Sequence, residues 1–157
     1  MPRKWVDVTG KNKSSVTSLK KSGEKNDQQN SKEMTLKFLH WNILADRLAH
    51  DSFSKVPKEF LSWDYRFQLI HQHIKDVNPD VFGLSEVDVL PHYRKVADAF
   101  AKLGYQDYFV EKSNGISGSA IFYKKEMFLC LDQNHIVFSE GASQFFMYCR
   151  LVKKMKG

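Results

Sequence analysis

Between residues 35 and 84 the chain runs apolar segment, amphipathic segment, apolar segment, and that order leaves few folds open. Thr35 to Ile43 places Leu36 and Phe38 on one face and Leu39, Trp41 and Ile43 on the other, which predicts a strand buried on both sides. Ser62 is placed to cap a helix reaching Val77, with Phe67, Ile70, Ile74 and Val77 at spacings of three, four and three. Asn78-Pro79 ends it, and Val81 to Leu84 then reads as a second strand that pairs with the first. The unit is β-α-β, so a parallel strand pair is expected.

A second helix is predicted over Pro91 to Leu103, aligning Tyr93, Val96, Ala97, Phe100 and Leu103, with Gly104 as its stop. Beyond it the pattern is strand-rich: Tyr105 to Val110, Ser119 to Tyr123, Met127 to Leu131, Ile136 to Phe138 and Gln144 to Val152, with a turn loop at Ser113 to Gly118. Helices early and antiparallel strands late give an α/β (α+β) class with a mixed sheet.

The first 33 residues are a different material. They hold eight Lys/Arg against four Asp/Glu and almost no large apolar residues after Val8, too little to offset the entropy of ordering. Residues 1–33 are therefore expected to be a disordered basic tail, and 34–157 the folded domain. The formal charge of +6 sits at the ends, since Arg150, Lys153, Lys154 and Lys156 add a second basic cluster. A Lys-rich tail can hold nucleic acid through its phosphates, but no aromatics interleave with these lysines, which favours a solvated tail.

No run of roughly eighteen apolar residues occurs, so no membrane partner is expected. The N-terminus lacks the apolar centre of a secretory signal, and its Lys-rich, acid-bearing composition disfavours a mitochondrial transit segment. The expected address is cytoplasmic or nuclear. Cys130 and Cys149 form no CxxC pair and read as reduced core residues.

Two residues stand where ligands gather in open sheets, beyond the carboxyl ends of neighbouring strands: Asn42 after the first and Glu86 after the second. A carboxylate beside a neutral amide suits magnesium, which keeps several waters and takes one or two protein carboxylates. An Asn cap and a surface Glu fit the same spacing, so the pattern alone leaves both readings open. The histidines offer no cluster: His71 and His73 are two apart on a helix and point apart, and His135 reads as a loop or strand-start residue.

Four segments in order carry a resemblance. They are Trp41-Asn42-Ile43-Leu44-Ala45, Trp63 with Arg66, Pro79-Asp80-Val81-Phe82-Gly83-Leu84-Ser85-Glu86-Val87-Asp88, and Gly118-Ser119-Ala120-Ile121-Phe122-Tyr123-Lys124. Together they resemble the opening of the endonuclease/exonuclease/phosphatase superfamily in its deadenylase and nocturnin-like branch. Ser85 stands where that family usually has Gln, and Ser117 and Ser119 where it has Asp and Cys. The resemblance implies the N-terminal half of a four-layer α/β/β/α sandwich with helices on one face of a mixed sheet.

It also implies roles: Glu86 as the Mg2+ ligand, with Mn2+ able to substitute, Asn42 holding metal or scissile phosphate, Asp88 lining the cleft, and Arg66 a structural residue. The family's later motifs, Asn-x-His-Leu, Gly-Asp-Phe-Asn and Ser-Asp-His, have no counterpart here. The expectation is the N-terminal portion of a Mg-dependent phosphodiesterase or 3'-5' RNA exonuclease, acting on RNA or a nucleotide when complete. This chain alone is then expected to be inactive, to hold the metal weakly or not at all, and to self-associate through an uncovered sheet. A noncatalytic RNA- or protein-binding module built on the same fold is the alternative.

Overall fold

The computed structural model describes residues 35–90, 92–138 and 143–155. The basic tail expected over 1–33 lies outside the described residues. Four strands form one mixed sheet in the order β1-β2-β4-β3, and two more form a separate hairpin. In chain order the elements are β1 (Phe38–Asn42), α1 (Asp46–Ser52), α2 (Lys58–Leu61), α3 (Trp63–Val77), β2 (Val81–Asp88), α4 (His92–Lys102), β3 (Tyr105–Glu111), β4 (Ser117–Lys124), β5 (Phe128–Val137) and β6 (Phe145–Lys153).

The β-α-β unit is present as expected: β1 and β2 run parallel, Phe38 facing Val81 through Asn42 facing Ser85. Helix α3 ends where Asn78 takes the left-handed conformation at φ 48°, and Gly104 does the same after α4 at φ 89°. Alternation along the strands sends Phe82, Leu84, Ala120 and Phe122 to the helical side, where they pack with Ile70, Ile74, Val96 and Phe100. At the centre Phe82 stacks on Phe122 at 4.7 Å, and Phe100 meets both rings edge-on.

Asp80 ties the starts of β1 and β2 together. It accepts the Lys37 N–H at 2.9 Å and pairs with Lys124 Nζ at 2.9 Å. Burial alone would raise its pKa, but the Lys37 N–H and the Lys124 ammonium outweigh that and hold it below the ordinary value. At Gly118 the backbone of β4 passes so near β3 that any Cβ would collide with the Val110 carbonyl and the Phe109 ring.

Several expectations need correction. Strand β1 is an edge strand with only one packed face: Leu39 and Trp41 are half-buried, while Phe38 is 69% exposed. Ser62 borders α3 without a side-chain cap, because its hydroxyl donates to the Glu59 carbonyl instead. The polar stretch before it holds two short helices that no apolar period announced. Met127 to Leu131 and Ile136 to Phe138, read as two strands, belong to one, β5, bulged between Cys130 and Asp132. His135 thus lies within a strand, its Nδ1 3.1 Å from the Tyr108 hydroxyl. Cys130 and Cys149 are half-buried rather than core.

On the face opposite the helices, Phe38, His40, Val81, Gly83 and Ile121 line one side of a groove of about 640 Å³ whose other side carries Phe128, Tyr148, Cys149 and Leu151 of the hairpin. The outer hairpin surface carries Leu129, Ile136 and Phe146, each at least half exposed. Among the described residues no helix is long and apolar enough to cross a membrane.

Candidate functional site

The parallel pairing of β1 with β2 sets Asn42 against Ser85, one residue short of Glu86. At that point β2 bulges against β4, between Ser85 and Val87, and Glu86 is the extra residue. It takes φ 55°, a conformation that a side chain bearing a Cβ adopts at a cost. The bulge re-aims the side chain, and Glu86 Oε1 accepts a hydrogen bond from Asn42 Nδ2 at 2.7 Å. The two residues singled out in the sequence therefore converge at the strand ends.

Asn42 is itself held. Its Oδ1 accepts the Leu44 N–H at 3.0 Å, and Leu44 stands at φ 57°, so Glu86 and the residue that anchors Asn42 both have left-handed backbone. With its carbonyl used on Leu44 and its amide on Glu86, Asn42 orients the carboxylate rather than offering an oxygen of its own. Oε2 of Glu86 takes no hydrogen bond from the described residues.

Arg66 fixes the loop that follows β1. Its guanidinium donates to the carbonyls of Ile43 at 2.9 Å, Leu44 at 2.6 Å and Leu61 at 2.8 Å, and pairs with Asp46 at 3.1 Å. The fork geometry of Arg allows one side chain to satisfy all four, and it lies over the Trp63 ring at 5.4 Å. Asp88 works from the other side. It is 3% exposed, and its carboxylate accepts the Asp46 N–H at 2.7 Å, so it faces the start of α1 rather than an open cleft.

Beside Asn42 a second groove of about 500 Å³ runs between β1 and α3, lined by Trp41, Leu44, Leu69, Gln72, His73 and Asp76 among others. Trp41 and His73 meet there edge-to-face at 5.5 Å. Trp41 on a strand face and His73 on a helix were each legible in the sequence; the groove between them was not.

One carboxylate with an unengaged oxygen, next to an amide, fits a magnesium ion that keeps most of its water. No group of three or more His, Cys, Asp or Glu gathers to hold a metal among the described residues. The fit is that of a single-carboxylate site.

Comparison with known proteins gives four findings. The Endonuclease/Exonuclease/phosphatase family profile matches residues 39–140. Nocturnin of Drosophila melanogaster is 35% identical over 103 residues, 58% of this chain and 16% of that protein. The CCR4-Not complex 3'-5'-exoribonuclease subunit Ccr4 of Phaeosphaeria nodorum is 29% identical over 119 residues, 69% of this chain and 20% of that one. Among solved structures, ANGEL2, a 2',3'-cyclic phosphatase in complex with adenosine-2',3'-vanadate, superposes with a TM-score of 0.70 at 23% identity, covering 76% of this chain and 38% of its own, a likeness of fold. The chain thus spans about a fifth or less of the length of these curated relatives.

Proposed function

The chain belongs to the Endonuclease/Exonuclease/phosphatase family, in its deadenylase and nocturnin-like branch, and from that premise we propose that it carries the metal-binding side of a phosphodiesterase that removes nucleotides from the 3' end of RNA. The observation that carries this reading is the 2.7 Å contact between Asn42 and Glu86, built by a bulge and two left-handed residues at the ends of parallel strands. Backbone held in costly conformations clusters at functional sites, because only a requirement at that point keeps it.

In this reading Glu86 holds Mg2+ or Mn2+ through the oxygen that Asn42 leaves free, and Asn42 holds the carboxylate in one orientation. When bound, the cation supplies charge neutralisation at a phosphoryl oxygen. Arg66 and Asp88 act through position: Arg66 sets the loop from Ile43 to Asp46, and Asp88 anchors the far end of that loop. RNA is the favoured substrate because the relative named as a 3'-5'-exoribonuclease shares 29% identity over most of this chain. No described residue near Glu86 is placed as a general base.

The 157-residue chain, purified with magnesium, should release no mononucleotide from short oligoadenylate above background. A general base typically contributes about a hundred- to ten-thousand-fold, and charge-stabilising donors a similar factor. Turnover that Glu86→Gln abolishes would overturn the inactivity. A chain that instead binds oligoadenylate equally with and without magnesium, unaffected by Glu86→Gln, would favour the noncatalytic module.

The exposed apolar side chains of the hairpin and of the open sheet face also lead us to expect association between copies, since monomers rarely leave such a patch uncovered. Light scattering at tens of micromolar should show a mass that rises with concentration. A constant monomer mass would count against it.

A further inference from the structure

Cys130 and Cys149 sit on neighbouring strands of the hairpin. Cys130 faces Leu151 and Cys149 faces Gln133. Because Cys149 and Leu151 are two apart, Cys149 is on the same strand face as Cys130 and diagonal to it. Both are reduced and half-buried, and the Cys130 thiol lies near enough to help raise the pKa of the Cys149 thiol. The Cys130 thiol donates to the Asp132 carbonyl at 3.3 Å. Between the two positions β5 bulges, so Leu131 gives the backbone one residue of slack where the strands must draw together.

We propose that Cys130 and Cys149 form a redox-sensitive dithiol that closes to a disulfide across the hairpin by exchange with a low-molecular-weight disulfide such as oxidised glutathione. The pairing rests on strand register and a shared strand face, independently of the phosphodiesterase reading. In the first step the Cys130 thiolate attacks one sulfur of oxidised glutathione. A mixed disulfide forms, and one glutathione leaves as its thiolate. In the second the Cys149 sulfur, having given its proton to solvent, displaces the remaining glutathione from Cys130. The two protein thiols are oxidised, one oxidised glutathione is reduced to two molecules of thiol, and the two released protons complete the leaving thiols.

The order follows from the surroundings. Burial, reinforced by the neighbouring Cys130, pushes the Cys149 thiol up to about 12, so it is a poor first nucleophile and serves as the resolving group. Closure would pin the two strands where they enter the groove against Phe38 and Ile121, fixing a register that otherwise depends on the bulge.

The test is equilibration of the chain in a glutathione redox buffer, followed by acid quench and mass spectrometry. The wild-type chain should lose two hydrogens and retain no glutathione, with a cross-linked peptide joining Cys130 to Cys149. Cys149→Ser should accumulate one glutathione on Cys130, and Cys130→Ser should accumulate less. Should either variant fold poorly, the wild-type chain decides alone: at one fixed buffer ratio the closed fraction should be greater under native conditions than in denaturant. Two stable glutathione adducts, a covalent dimer as the main product, or a closed fraction no greater in the native state would each overturn the proposal.

Discussion

Arg66→Ala should destabilise the domain by about 3 kcal/mol, the scale expected when one partner of a largely buried charged network is removed. The Arg66 side chain is 14% exposed and satisfies three carbonyls and one carboxylate, so truncation leaves Ile43, Leu44 and Leu61 with unmatched acceptors and Asp46 without its ion pair. Urea denaturation measures the change, and a shift in midpoint without a change in slope would place it in the folded state. Arg66→Lys should recover less than half of the loss, because an ammonium cannot span the same acceptors in one plane. A loss below about 1 kcal/mol would mean that water replaces the guanidinium at little cost, and that the loop carrying Asn42 is held by other means.

A second large effect is expected at high pH. Tyr93, Tyr105 and Tyr123 are nearly fully buried. Burial raises all three phenols, assisted by Asp107 at Tyr93, Asp80 at Tyr105 and Cys130 at Tyr123, and the last two reach about 12. In the unfolded chain a phenol ionises near its ordinary value of 10.0. The folded state therefore holds these protons longer, and stability is complete below about pH 10 and is lost as the pH climbs through the raised values. Each tyrosine puts roughly 1–3 kcal/mol at stake. Their sum is comparable with a typical domain stability of about 5–15 kcal/mol. Tyrosinate absorbance and far-ultraviolet circular dichroism should then change together in one transition between pH 10 and 12. Phenolate forming with the fold intact would contradict the burial argument.

How far the sequence could be read depended on burial. Where one face had to pack on a core, period and stops located the element: α3 and α4 lie where Ile70, Ile74, Val96 and Phe100 required, and Asn78 and Gly104 end them. The loop after β1 had no such signal. Its buried residues include Ala45 and Ala49, too small to mark a stripe, so α1 and α2 went unread. The hairpin failed for the opposite reason. Residues 131–138 are all exposed, so Asp132 to His135 look like a turn although the backbone stays extended.

At the site, Asn42 and Glu86 were legible because strand ends in a parallel pair converge. The means of convergence was not, since nothing in Ser85-Glu86-Val87 announces a bulge or a left-handed Glu. Asp88 shows the limit of motif reading. Its place in the segment suggested a cleft residue, but the carboxylate is buried on Asp46 because β2 continues through it and turns it inward.

In the proposed function Glu86, aimed by Asn42, takes a divalent cation at the ends of β1 and β2. Paramagnetic broadening by Mn2+ measures this most directly, because it locates the ion without requiring turnover or tight binding. At millimolar Mn2+ the amide resonances of Leu44, Glu86 and Val87 and the side-chain amide of Asn42 should broaden before others, Glu86→Gln should abolish the effect, and added Mg2+ should reverse it. Broadening centred elsewhere, or unchanged by Glu86→Gln, would contradict the assignment.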